Sequence, residues 1–264
     1  MDDFYFRTLT QLLEKRLMTR NMHILVVCGG RSDHDALHKA GFKHVTISNL
    51  DVRMRGDEFA PFAWIFQDAE DLKYSDGTFD FCIVHNGLHH CYSPHRALLE
   101  IYRVARKGIL VFEPRDTFLV RLGVKLNFGQ EYEVAAVAGN ALKFGGVRNC
   151  SIPNYVYRWS EREIEKTIRS FTPIGRPRFH YFYALRVPTE RLSAMKNRVV
   201  AHIIRILLPL IRVFTHLFPK QCNCFAFAIE KLDVTGDLHP WLALVDGQPT
   251  ICKDWVQKQY GEFK

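Results

Sequence analysis

Residues 21–51 read NMHILVVCGGRSDHDALHKAGFKHVTISNLD, and this stretch decides the fold. Met22–Val27 are mostly apolar and β-prone, the pattern of a parallel strand buried on both faces. Gly29 and Gly30 then allow a tight turn where a side chain would crowd a ligand. Asp33 or Asp35 opens the following helix, since a short acidic side chain suits a first turn. Gly41 reads as its C-cap. A second strand, His44–Ser48, leaves Asn49 and Asp51 at its carboxyl end. A strand, a glycine turn, a helix, a strand and a polar acceptor about 20 residues after the turn make a unit that binds a nucleotide-like ligand at the sheet's carboxyl edge.

The alternation continues outward. Trp64–Phe66 is a short strand running into Gln67, Asp68 and Ala69, and an Asp-Gly turn lies in the polar segment after it. Phe79–Val84 is an apolar strand ending in HNGLHHC. Ser93 caps a helix with Pro94 at its first position, and that helix carries Ala97, Leu98, Ile101 and Val104. Gly108 is expected to end it. Ile109–Phe112 is the next strand, with Glu113, Pro114, Arg115 and Asp116 at its carboxyl end. Ser160 and Glu163 form a capping box for another helix. Residues 179–187 and 224–232 read as an antiparallel pair. The expected architecture is α/β: one domain over 1–264, a doubly wound Rossmann-like sheet of about seven strands, a C-terminal antiparallel hairpin pair and helical cap insertions. The looser pattern of 117–157 predicts a cap above the sheet edge. Residues 8–20 predict an amphipathic helix, and the tail with Trp241 and Trp255 predicts extended packing.

Residues 190–220 predict a basic amphipathic helical insertion, with Arg198, His202, Arg205, Arg212 and His216 on one face and a kink at Pro209. Its apolar runs are too short to span a bilayer. Two readings stand: packing on the sheet or at a homodimer interface, or contact with an anionic membrane surface. The formal charge of +8 favours an anionic partner. Nucleic acid is disfavoured, because no basic stripe interleaved with aromatics lies outside that mostly apolar helix. The seven cysteines are odd in number and fall partly inside strands, which predicts reduced thiols and a cytoplasmic protein, peripheral to the membrane if the helix binds one. The acidic N-terminus lacks the apolar core of a signal peptide. Cys222-x-Cys224 has no second pair, so no metal is expected.

In its motifs the chain resembles the class I S-adenosylmethionine-dependent methyltransferases of the small-molecule type. The resemblance covers residues 22–113, and 160–230 in topology. ILVVCGGRS stands at the family's first strand and glycine motif, with Val26 in place of the usual acidic residue and Ser32 in place of a third glycine. DAEDLKYSDGTFDFCIVHNGLHH is the most specific match, and SPHRALLEIYRVARKGILVFEP follows it as the family's next helix and strand. The resemblance implies S-adenosyl-L-methionine as cofactor. Its expected contacts are Cys28, Gly29 and Gly30 at the turn, Asn49 or Asp51 at the ribose, Asp68 and Ala69 at the adenine, and Asn86 beside the methionine part.

Methyl transfer from a sulfonium needs alignment and exclusion of water. A hydroxyl acceptor also needs a base. His89 and His90 lie on the implied loop, and Glu113 ends the next strand. Arg115 is the candidate for holding an acceptor carboxylate or phosphate, and Tyr132 for lining the cap. The function expected is methylation, at oxygen, of a small-molecule, lipid-linked or glycan-precursor acceptor. Val26 and Ser32 motivate an alternative, a non-catalytic nucleoside-binding or assembly module. A nicotinamide oxidoreductase is disfavoured, because the full G-x-G-x-x-G pattern is missing after the first strand.

Overall fold

A computed structural model describes residues 3–127, 129–187, 198–232 and 238–261. Seven strands form the main sheet: β1 (His23–Val27), β2 (His44–Asn49), β3 (Ala63–Phe66), β4 (Phe79–His85), β5 (Ala105–Pro114), β6 (Arg178–Ala184) and β7 (Cys224–Glu230). Their order is β3-β2-β1-β4-β5-β7-β6. β7 pairs antiparallel with both β5 and β6, and the remaining pairings are parallel. The strand order reverses between β1 and β4, so the carboxyl ends of these two strands open a crevice.

Alternation along β1 feeds two cores. Leu25 and Val27 face a layer with α3 (Pro94–Val104) and α6 (Glu161–Phe171), through Leu98, Ile101, Ile164 and Ile168. Ile24 and Val26 face α1 (Asp3–Glu14) and α2 (Arg31–Ala40), through Tyr5, Leu9, Leu12 and Leu37. All are essentially removed from solvent, and each large apolar side chain so buried contributes about 1.5–3 kcal/mol. α1 begins and ends earlier than the 8–20 expectation. Its buried stripe starts at Tyr5 and continues through Leu9 and Leu12, the i, i+4, i+7 spacing of one helix face.

Gly41 caps α2 in the left-handed conformation (φ 81°), its N–H reaching the carbonyls of His38 and Leu37. Ser93 accepts from the Arg96 N–H, and Ser160 from the Glu163 N–H. Gly108 does not end a helix: α3 stops at Val104 and Gly108 lies within β5. A Cβ there would stand 2.5 Å from the Ile229 carbonyl oxygen and 2.7 Å from the Phe81 ring. The residue is needed for close strand approach.

Between β5 and α6, the 117–157 segment holds α4 (Phe118–Lys125), α5 (Val134–Gly139) and a 3-10 turn at Val147–Asn149. α7 (Arg198–Leu217) carries Pro209 inside it, and the part of the expected helix before Arg198 lies outside the described residues. The tail adds a hairpin, β8 (Leu242–Val245) with β9 (Gln248–Ile251), and α8 (Lys253–Tyr260). Its turn residues Asp246 and Gly247 both have positive φ (51° and 75°), as a two-residue hairpin requires. Among the described residues, no helix is long and apolar enough to cross a membrane.

Candidate active site

The carboxyl ends of β1 to β4 and the cap enclose a cavity of about 260 Å³. Cys28 follows β1, Asn49 ends β2 with Asp51 two residues on, Asp68 and Ala69 follow β3, and Asn86 follows β4; all six line it. Cys28 and Asn86 face each other across the switch point with positive φ, 55° and 54°. Such conformations cost free energy in non-glycine residues and gather where a ligand is held. Gly87 explains how the two strand ends come so close: a Cβ on it would stand 2.4 Å from Cys28 Cβ.

The two motif glycines are placed differently from expectation. Gly29 and Gly30 do not line the cavity. The space beside Gly29 belongs to Val26 and Ile47, whose methyl carbons would meet an added Cβ at 2.7 and 2.8 Å. Its carbonyl accepts from Asn49 Nδ2 (2.8 Å) and its N–H donates to the Ser48 carbonyl (2.8 Å). Gly30 donates its N–H to Asp33 Oδ2 at the start of α2 (2.9 Å). Gly29 therefore serves strand packing and Gly30 the helix start.

The crevice wall is acidic. Asp51 is gripped by the Arg53 guanidinium at 2.6–3.2 Å, which holds its pKa below the usual carboxylate value. Arg53 also lies 4.0 Å over the Phe144 ring of the cap. Asp68 pairs with Arg148 at 2.7 Å, and Arg148 also reaches Glu70 at 3.3 Å. Glu70 is buried and accepts from the N–H groups of Tyr92 and Ser93, tying the crevice to the start of α3. The Cys91 thiol donates to the Gly87 carbonyl oxygen (3.8 Å), and the neighbouring Cys28 thiol together with burial pushes its pKa up. Leu50, Met54, Gln67, Glu70, Gly87, Cys91, Gly145, Gly146, Arg148 and Asn149 complete the lining beyond the residues expected from sequence. Of these, Gly87 carried a turn signal with the expected Asn86 at a strand end, and Gly145-Gly146 carried one within the cap.

The three expected catalytic groups come together below the crevice. His89 is buried, with Nδ1 2.6 Å from Glu113 Oε2, and Glu113 Oε1 accepts from the Leu88 N–H at 2.7 Å. Burial opposes charge on His89, but Glu113 and Glu133 outweigh it and push its pKa up to about 10. His90 alone of the three lines the cavity. Burial and the neighbouring charge of His89 lower its pKa, which favours a neutral ring. Arg115 is buried away from the cavity, and its guanidinium meets both oxygens of Glu161 at 2.7 and 2.6 Å. Tyr132 is exposed on the cap, packed edge-on to Tyr155.

Residues 25–112 match the family model described as a methyltransferase domain. Over 96 residues the chain is 33% identical to the ubiquinone/menaquinone biosynthesis C-methyltransferase UbiE of Roseobacter denitrificans. That match covers 32% of this chain and spans 38% of the relative's length. The fold is similar to the YcgJ protein of Bacillus subtilis (TM-score 0.52, 13% identity, 86% of this chain and 99% of that one). It is also similar to a chain of the complex that contains the Haloferax volcanii Trm112 methyltransferase activator (TM-score 0.50, 12% identity, 88% and 90%). Residues 25–112, a third of the chain running from β1 to β5, are thus similar to a methyltransferase domain, and the seven-strand sheet has the fold of these solved structures.

Proposed function

We propose that this protein transfers a methyl group from S-adenosylmethionine to a hydroxyl of a small-molecule or lipid-linked acceptor. One observation carries the reading: Cys28, Asn49, Asp51, Asp68, Ala69 and Asn86, from four adjacent strand ends, line a single crevice at the switch point. The donor set fits an adenosine. Asp51 offers carboxylate oxygens to ribose hydroxyls, and Asp68 offers one to an amino group. Ala69 keeps the wall between them small. Arg53 and Arg148 neutralise these carboxylates from partly exposed positions. Such ion pairs are worth about 1 kcal/mol or less, so a ligand displaces them at small cost.

Bound there, S-adenosylmethionine supplies an electrophilic methyl group on a sulfonium. The chain's own residues do the rest. The cap excludes water from the crevice through Gly145–Asn149. His90, neutral and on the cavity wall, is placed to take a proton from an acceptor hydroxyl. His89 and Glu113 pin the loop that carries it. Incubation with the labelled donor and a total metabolite and lipid extract tests this reading. A product heavier by one methyl group, lost in Asp68→Ala, supports it; no labelled product from any fraction contradicts it.

α7 supports a lipid-linked acceptor. Ile206, Leu210, Val213 and Leu217 are exposed, and so are Arg205 and Arg212 among them. Phe118, Leu122 and Leu126 at α4 add exposed apolar surface. An exposed apolar helix with cations along it suits the interface of an anionic membrane.

A further inference from the structure

Beside the crevice, the loop after β4 meets the cap where two imidazoles and a carboxylate converge. His89 Nε2 and His90 Nε2 stand 3.4 and 3.5 Å from one atom, Glu133 Oε2. All three atoms lie within 4.8 Å of one another. These spacings are long for N–H···O bonds, which run about 2.7–3.2 Å. They match the edge of a tetrahedral metal site, where ligands about 2.0–2.1 Å from the ion lie about 3.3 Å apart.

The far side of each ring agrees. His89 Nδ1 meets Glu113 Oε2 at 2.6 Å, and His90 Nδ1 meets the Gly146 carbonyl oxygen at 3.3 Å. Both partners only accept, so each Nδ1 carries the hydrogen and each Nε2 is the atom turned toward Glu133; on His90 it offers a lone pair, and on His89 it offers one once an ion displaces its proton. Metal-binding histidines are oriented in this way, by a carboxylate or a backbone carbonyl on the other nitrogen. A divalent ion between these atoms would take the place of the proton that His89 holds toward Glu133. A further oxygen is close by. Asn154 is buried and donates Nδ2 to the His89 carbonyl (3.0 Å) and toward Glu133 Oε2 (3.4 Å), while its Oδ1 is buried without a partner.

We propose that His89, His90 and Glu133 bind one divalent transition-metal ion of the zinc class, with Glu113 and the Gly146 carbonyl orienting the two rings. Two imidazoles and a carboxylate suit zinc, cobalt or nickel better than calcium or magnesium. They leave a fourth position open, as catalytic zinc sites do. The ion would staple the cap, through Glu133, to the loop at the crevice edge. Coordination uses the same Nε2 lone pair that His90 offers as a base, so the two roles are alternative states of one ring. The metal site does not depend on the methyl-transfer reading.

Full-length protein treated with chelator and desalted would be titrated with zinc chloride in a calorimeter at neutral pH, and with cobalt chloride in a spectrophotometer. The expected result is one equivalent of each metal, with visible cobalt bands of a four- or five-coordinate site and no thiolate charge-transfer absorption. Glu133→Gln and His90→Gln should each weaken zinc at least about tenfold, and Glu113→Gln by about 10–100-fold. His44→Asn, at the opposite edge of the sheet, should bind as wild type. Circular dichroism of the metal-free variants checks that they fold. If a variant does not, the wild-type cobalt spectrum alone decides between nitrogen/oxygen and thiolate ligands. No saturable binding, equal affinity in Glu133→Gln and His90→Gln, or a thiolate band would overturn the proposal.

Discussion

Gly87 sets the width of the crevice at its narrowest point. Its missing Cβ lets Asn86 and Cys28, both in the left-handed region, face each other from neighbouring strands. Gly87→Ala must push Cys28 aside in a packed interior. It is expected to cost about 1–3 kcal/mol, measured by chemical denaturation, and to weaken S-adenosylhomocysteine binding. A variant with wild-type stability and affinity would show that the close approach is not needed. Asp33 makes a second test. It lies buried between α1 and the crevice turn, and burial raises its pKa despite the opposing pull of His85 and the Gly30 N–H. The folded state therefore holds this proton more tightly than the unfolded chain. Its stability contribution is present at low pH and is lost as pH rises from 3.8 through the raised folded value. Asp33→Asn keeps the acceptor for Gly30 and removes the buried charge. It should gain about 1 kcal/mol at neutral pH and nothing near pH 3.8, read from thermal melts at both.

At the scale of elements, three strands are tied at their amino-terminal edge by one side chain. Asp80 of β4 accepts from the His23 N–H of β1 at 3.0 Å and pairs with Arg106 and Lys107 of β5 at 2.5 and 3.1 Å. Burial raises its pKa, but these partners outweigh burial and hold it at about 2. A depressed carboxyl stabilises the fold above its unfolded value and loses that contribution as pH falls toward about 2. Arg106 and Lys107 are solvent-exposed, so the gain is held to about 1 kcal/mol. Asp80→Asn should lower stability by that amount at neutral pH and flatten the acid limb, as acid titration followed by circular dichroism would show. The elements were legible where period and punctuation agreed: Met22–Val27, the Ser93-Pro94 cap, the Ser160 cap and the β6–β7 pair. Of the expected Ser160–Glu163 box only the Ser160 half forms, because the Glu163 carboxylate turns to Tyr157 and His95. Gly108 was misread because a glycine after a helix and a glycine admitting a neighbouring strand look alike in sequence. The β8–β9 hairpin was missed although Asp246-Gly247 carries a strong hairpin signal. The approach of Glu133, Arg148 and Asn154 to the site was not legible, since cap loops have no period to read.

Over the whole molecule, the chemistry gathers at one edge of the sheet, while α7 and α4 expose apolar surface with cations beside it. If that surface meets anionic lipid, the protein should float with vesicles containing phosphatidylglycerol and stay behind with neutral ones. Leu210→Glu should abolish flotation, and higher salt should weaken it. A dimeric mass in solution with no flotation would instead assign α7 to a contact between copies. The central claim is the occupant of the crevice, and calorimetric titration with S-adenosylhomocysteine tests it most directly. Saturable one-to-one binding, lost in Asp68→Ala and absent for NAD, is the predicted result. A folded wild-type protein that gives no binding heat with either S-adenosylhomocysteine or S-adenosylmethionine would contradict it.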